Sequence, residues 1–70
     1  NPNFSAAMIG LAYVLHSVGQ TNIAIQYVEE AISKGSRFEE LANDENLAPL
    51  RSTPEYKQLM KKHFPDEFND

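Results

Sequence analysis

Polar side chains recur along residues 21–34 at intervals of three and four, which is the period of an α-helix. One side of this predicted helix therefore faces water, and the other side carries apolar residues that we expect to be buried. Small residues on the apolar side leave room for a neighbouring helix. The polar side consists of Asn22, Gln26, Glu29, Glu30 and Ser33, and the apolar side consists of Ile23, Ala24, Tyr27, Val28, Ala31 and Ile32.

Residues 6–18 have a different pattern, because no helical register of this segment gives a comparable charged stripe. A helix that is apolar nearly all round is usually buried on most sides, and we expect the same of this one. Gly19 follows at the position where a left-handed residue ends a helix, and Gln20 and Thr21 leave room for a tight turn. The two segments together predict an antiparallel helical hairpin.

The chain between residues 36 and 52 predicts one short helix followed by a loop. Ser36 and Glu39 have the spacing of a capping box that starts the helix. We interpret residues 43–46 as a turn, after which Pro49 prevents a long regular helix. The apolar side of the short helix consists of Phe38, Leu41 and Ala42. The residues expected to hold the loop on the core are Leu47 and Leu50.

A last helix is predicted from its start signals. Thr53 is expected to cap it, Pro54 takes the first helical position, and Glu55 lies near the positive end of the helix dipole. Pro65 ends the helix, and the acidic tail that follows has only Phe68 to dock it. The apolar side of this helix consists of Tyr56, Leu59, Met60, His63 and Phe64, and the polar side of Lys57, Gln58, Lys61 and Lys62.

Composition narrows the classes of protein to which the chain can belong. At 70 residues it forms one domain at most, and a chain near this size buries only about 60% of its unfolded surface. It has no cysteine for a disulfide or a thiolate metal site. Its 6 basic and 10 acidic residues give a net charge of −4, which repels phosphate backbones. We therefore expect no nucleic-acid partner.

The most apolar stretch, residues 6–18, is too short for a membrane span, which needs about 20 apolar residues. We therefore expect no membrane partner. Residues 1–5 contain no basic side chain of the kind that precedes the apolar part of a secretory signal. The cytoplasm is then the default location, and the sequence indicates nothing finer.

The titratable residues do not form a pattern that catalysis requires. Acidic residues occur in adjacent pairs such as Glu29 and Glu30, and adjacent side chains on a helix do not face the same way. His16 and Ser17 diverge for the same reason, so they make a poor base and nucleophile. A zinc site at His16 or His63 would need carboxylates from distant segments. We predict no enzymatic activity, no catalytic residue, no metal site and no cofactor.

Small and large residues recur along the hairpin at a set of spacings that resembles the tetratricopeptide repeat (TPR), a helix-turn-helix unit of about 34 residues. The family's first aromatic is replaced by Met8, its glycine by Ala12 and its tyrosine by Leu15. Pro2 is similar to the proline that closes a preceding repeat, and Ser36 lies one repeat length later. The positions that carry the resemblance are Met8, Leu11, Ala12, Leu15, Ala24, Val28 and Ala31.

This resemblance covers residues 1–38 and implies an all-α fold at the end of an α-solenoid. Glu45, Asn46 and Pro49 depart from the repeat pattern, so the chain resembles a C-terminal repeat with a capping segment. Repeat units need neighbours to bury their apolar faces. We expect residues 6–18 to be covered by the second helix, by the terminal segment with its last helix, and by a preceding repeat. The implied divisions are a junction at 1–4, a TPR-like hairpin at 5–35, a short helix and loop at 36–52, a capping helix at 53–64 and an acidic tail at 65–70.

The resemblance implies a protein-protein interaction module that binds a peptide or a partner protein. In TPR proteins the inner surface comes mainly from first helices, and Tyr13 and His16 would supply contact area and hydrogen-bonding groups there. Lys, Arg and Asn are absent from this stripe, so a clamp for a terminal carboxylate is not expected. The predicted partner-binding stripe consists of Ala6, Ile9, Tyr13, His16 and Ser17.

Two alternatives remain open at the level of sequence. Tyr13 and His16 can instead pack on the terminal helix, which would leave no binding stripe. The uncovered flank of the first helix, near Pro2, Phe4 and Met8, can also pack against a second copy of the chain. The module would then be a structural unit of a homo-oligomer.

Overall fold

Two glycines in left-handed conformations divide the first half of the chain into helices. The computed structural model describes residues 4–68, and Gly19 has a φ of +87° and Gly35 a φ of +112°. Beside Gly19, the backbone N–H of Gln20 donates to the carbonyl of Leu15 at 2.8 Å, which closes a Schellman motif. The predicted cap at Gly19 is confirmed, and Gly35 ends the second helix in the same way.

The described residues form an all-α fold, as predicted, and they contain no strand. The predicted junction around Pro2 lies outside the described residues, except for Phe4. The elements are α1 at Phe4–Ser17, α2 at Thr21–Ser33, α3 at Phe38–Asn43, a 3₁₀-helix at Glu45–Leu47, α4 at Ala48–Arg51 and α5 at Pro54–His63.

Helices α1 and α2 form an antiparallel hairpin that crosses at small side chains. Ala12 of α1 and Ala24, Val28 and Ala31 of α2 are fully buried, which lets the two backbones approach closely. The prediction for the apolar side of α2 is wrong at Ile23, which is exposed. Ile23 lies in the first turn of α2, where consecutive side chains point in different directions, so it is exposed although the adjacent Ala24 is buried.

The start of α3 differs from the predicted capping box by one residue. The carboxylate of Glu40 accepts from the backbone N–H of Arg37 at 2.8 Å, so Ser36 and Glu39 do not form the pair. The reason lies in the preceding turn, where the backbone N–H of Ser36 already donates to the carbonyl of Ala31 at 3.1 Å. The first backbone N–H left for a cap is that of Arg37.

The predicted turn at residues 43–46 is more regular than expected. The Asp44 side chain accepts from the backbone N–H of Asn46 at 2.8 Å and starts the 3₁₀-helix. One nitrogen of Arg51, Nη1, donates to the carbonyls of Leu41 at 2.9 Å and of Asp44 at 2.7 Å, which ties α4 back to α3. The residues that hold this region on the core are Leu47 and Leu50, both fully buried as predicted.

Helix α5 begins as predicted, because Thr53 Oγ1 accepts from the backbone N–H of Tyr56 and Pro54 takes the first helical position. Its position differs from the expected one. It packs mainly on α2 and α4, whereas α1 is covered by α2, α4 and the 3₁₀-helix. Within the terminal segment, α4 and the 3₁₀-helix contact α1 more than α5 does, so the prediction that the last helix is the main cover of residues 6–18 is wrong.

Candidate functional site

The side of α1 that faces away from the core carries large aliphatic side chains in contact with solvent. Leu11 is 44% exposed, Val14 is 54% exposed and Val18 is 66% exposed. Together with exposed Ala7 they follow one another at intervals of four, three and four residues, so they share one side of the helix. We call Ala7, Leu11, Val14 and Val18 the α1 apolar face.

Among the described residues, α1 is covered on one side only, and the cover expected from a preceding repeat stays a prediction. Only Ile9 and Ala12 of α1 are buried, and they lie on the side that packs against α2, α4 and the 3₁₀-helix. Within residues 4–68, no other helix lies over the α1 apolar face. The sequence from Phe4 to Val18 contains no Asp, Glu, Lys or Arg, so this exposed surface carries no formal charge apart from any on His16.

The five residues of the predicted partner-binding stripe do not share one environment. Ile9 is only 6% exposed and belongs to the core, so it cannot contact a partner. Tyr13 is 44% exposed, and Ala6 and Ser17 are also exposed beside it. His16 is half-buried. The part of the stripe that a partner can reach is therefore centred on Tyr13, at the edge of the exposed half of α1.

The polar groups of the stripe form local hydrogen bonds. Nδ1 of His16 lies 2.9 Å from Oγ1 of Thr21, and this contact links the end of α1 to the start of α2. Oγ of Ser17 donates to the carbonyl of Val14 at 2.7 Å. Both side chains thus complete the end of the helix, and Tyr13 offers the larger contact area.

The α1 apolar face was not among the surfaces predicted from the sequence. Its spacing of three and four was visible, but residues 6–18 are apolar all round and contain no charged residue to mark the outward side. Which side is covered depends on where α4 and the 3₁₀-helix pack, and this follows from tertiary structure. Only the spacing could have indicated this face.

A charged cluster joins α2 to α5. The carboxylate oxygen Oε2 of Glu29 lies 2.8 Å from Nε2 of His63 and accepts from Nζ of Lys62 at 2.9 Å. The hydrogen bond with His63, followed by the one from Lys62, holds the pKa of Glu29 below its ordinary value. These contacts cross between helices, so the cluster links the end of α5 to α2.

Clusters of metal ligands and membrane-spanning helices are two further features that would indicate a function. Within the described part of the chain, no three His, Asp or Glu side chains come together as metal ligands. None of the helices between residues 4 and 68 is long and apolar enough to cross a membrane. The predictions of no catalysis and no cofactor stay predictions.

Comparison with known proteins identifies no relative of this chain. Scans against protein-family models, curated proteins and solved structures each find no match. We therefore infer function from the geometry of the described residues and from the pattern of the sequence.

Proposed function

We propose that this chain is a protein-protein interaction module whose contact surface is the α1 apolar face, with Tyr13 at its edge. The observation that supports the proposal is the solvent exposure of Leu11, Val14 and Val18 on a helix without formally charged residues. Contiguous exposed apolar patches in water-facing proteins usually mark interaction sites. Charged residues are also depleted at the centres of protein interfaces.

The partner that best fits this surface is an amphipathic helix of another protein. Intervals of four and three match the seam along which two helices pack, where each side chain inserts between residues of the facing helix. The small side chain of Ala7 at one end and the branched side chains of Val14 and Val18 at the other leave space for large partner side chains. Tyr13 adds a ring and a hydroxyl beside the seam.

The same surface fits a place in a TPR-like scaffold. We propose that the hairpin is a C-terminal TPR-like repeat, supported by the burial of Ala12, Ala24 and Ala31 at the helix crossing. Leu11, another position of the resemblance, is exposed. In an array, a preceding repeat would pack over part of this flank, and Tyr13 would remain on the inner surface.

The test is a selection of helical peptides from a display library against the folded chain, followed by affinity measurements on variants. Val14→Lys should weaken the selected peptides at least about tenfold, because burying a lysine in an apolar seam is costly. Ile23→Lys is the matched control, since Ile23 is an exposed aliphatic residue on α2. It should change the affinity less than about twofold, within the effect of a surface substitution.

The proposal fails if the selected peptides bind the Val14→Lys variant as tightly as the original chain. It also fails if Ile23→Lys weakens binding as much as Val14→Lys does. Circular dichroism and thermal melting of both variants show that the fold is retained.

Self-assembly is the second candidate function, and the composition of the α1 apolar face favours it specifically. A two-fold symmetric dimer brings the same patch of both subunits together, and a patch without charges can do so without repulsion. The molar mass in solution over a range of concentrations tests it, with circular dichroism on the same samples. A dimer that Val14→Lys dissociates and Ile23→Lys does not would establish self-assembly, whereas a helical monomer throughout excludes it in that range.

A further inference from the structure

A recess of about 220 Å³ opens on the other half of the molecule, between α3, α4, α5 and the tail. No residue of α1 lines it, so it is a separate surface from the α1 apolar face. For comparison, an apolar protein cavity of about 150 Å³ is large enough to hold a benzene molecule. The walls are apolar and mostly aromatic, and they are formed by Phe38, Ala42, Tyr56, Met60 and Phe68.

The charged residues of the recess are both cations. Arg51 and Lys57 line it, and none of the described residues that line it is acidic, although the whole chain has a net charge of −4. Arg51 is held in place through Nη1, which donates to two backbone carbonyls. A guanidinium has five N–H groups, so a fixed arginine can still donate to an anion. Lys57 is exposed on α5 and adds a second positive charge.

Tyr56 adds an independent observation. The residue is buried, it lines the recess, and its hydroxyl has no hydrogen-bond partner among the described residues. Buried polar groups of proteins are nearly always paired, and an unpaired one is unfavourable. Arg51 and, with the opposite sign, Asp44 both act on this phenol, so a cation and an acidic group lie near it. Because the hydroxyl has almost no solvent-accessible surface, Tyr56 lines the recess with its ring.

We propose that this recess binds a small aromatic carboxylate, with its ring between Phe38, Met60 and Phe68 and its carboxylate at Arg51 and Lys57. The apolar walls remove the ring from water, and two cations supply charge-assisted hydrogen bonds to the carboxylate. This proposal is independent of the proposed interaction surface on α1.

The proposal is tested by titrating the isotopically labelled chain with 3-phenylpropionate and following amide chemical shifts. Saturable shifts are expected at Phe38, Met60 and Phe68, with a dissociation constant on the order of 1 mM for so small a ligand. The matched ligand is 3-phenylpropanamide, which keeps the ring and loses the charge. It should bind about tenfold more weakly, because hydrogen bonds to charged groups are the stronger ones.

Variants of single residues distinguish binding in the recess from attraction by the overall charge of the chain. Lys57→Gln should weaken the binding of 3-phenylpropionate several-fold. The control is Lys34→Gln, which removes the same charge outside the recess, because Nζ of Lys34 lies 5.6 Å from the centre of the Phe4 ring.

Three results would overturn the proposal. The first is the absence of saturable shifts up to about tenfold above the expected dissociation constant. The second is equal binding of the acid and the amide, which would mean an apolar recess without an anion site. The third is equal weakening by Lys57→Gln and Lys34→Gln, which would mean attraction by the overall charge.

Discussion

Glu29 and His63 lie 34 residues apart in the sequence, and Nε2 of His63 lies 2.8 Å from Oε2 of Glu29. Lys62 donates to the same oxygen, so one carboxylate on α2 binds two groups at the end of α5. Tyr56, Leu59 and Met60 of α5 are buried in the core, so their apolar contacts position α5 and the charged cluster adds to them at the surface. Helix α5 packs mainly on α2 and α4, and the α1 apolar face stays in contact with solvent.

Glu29→Gln should lower the free energy of unfolding by about 0.5 kcal/mol at neutral pH, since the Glu29 side chain is more than a third exposed and water screens the cluster. The pKa of Glu29 is lowered in the folded state, so its stabilisation is present above the ordinary carboxyl pKa and is lost as the pH falls through the lowered value. The difference between the two proteins should therefore shrink in acid. Urea denaturation at a series of pH values measures it.

The control for this prediction is Glu30→Gln, which removes an exposed carboxylate from the same turn of α2. It should leave the unfolding free energy nearly unchanged. Equal losses in the two variants, or a difference that persists undiminished into strong acid, would show that the cluster does not stabilise α5.

Tyr56→Phe should raise the free energy of unfolding by about 1 kcal/mol, because it removes a buried hydroxyl that has no partner among the described residues. Burial also raises the pKa of Tyr56 to about 12, so the unfolded chain loses this proton at a lower pH than the folded chain. The original chain should then lose stability relative to the variant as the pH rises above about 10. Denaturation midpoints at neutral and alkaline pH test both statements, and a less stable Tyr56→Phe variant would contradict them.

Ala12→Leu should lower the free energy of unfolding by about 1–3 kcal/mol, because Ala12 is fully buried where α1 crosses α2. Ala7→Leu places the same side chain on the exposed side of the same helix. It should change the free energy of unfolding by less than about 0.5 kcal/mol. Chemical denaturation compares the two. A tolerated Ala12→Leu would mean that the helices do not cross at these small residues.

Replacing glycine by alanine should change the stability of the chain in opposite directions at two positions. Gly10→Ala should stabilise the chain by up to about 1 kcal/mol, since Gly10 lies within α1 and a methyl group there meets no atom within 4 Å. Gly35→Ala should destabilise it by about 1 kcal/mol, because the φ of +112° strains an L-residue. Thermal melting of both variants measures the two changes in stability. Changes of the same sign would contradict either the helical conformation of Gly10 or the left-handed conformation of Gly35.

Local signals explain what the sequence predicted correctly. Gly19, Thr53 and Pro54 act within a few residues of themselves, so the helix ends that they determine could be inferred without tertiary structure. The capping box at Ser36 and Glu39 was displaced by one residue because the turn at Gly35 uses the Ser36 N–H. That competition between neighbouring motifs is not visible in the spacing of either one.

Long-range packing accounts for what the sequence did not predict. The exposure of Leu11, Val14 and Val18 depends on which side of α1 is covered by α2, α4 and the 3₁₀-helix, and this is a matter of tertiary packing. The recess on the other half of the molecule likewise needs Phe38 and Phe68 together, from opposite ends of the C-terminal half. No period or motif in the sequence places such residues side by side.

The most direct test of the proposed interaction surface is to map where a selected helical peptide binds. Amide chemical shifts of the labelled chain, recorded during titration with the peptide, give that position. We predict that the largest changes follow the exposed half of α1 at Leu11, Val14 and Val18, extend to Tyr13, and disappear in the Val14→Lys variant. Changes centred on Phe38, Met60 and Phe68, or spread evenly over the chain, would contradict the assignment of the α1 apolar face as the interaction surface.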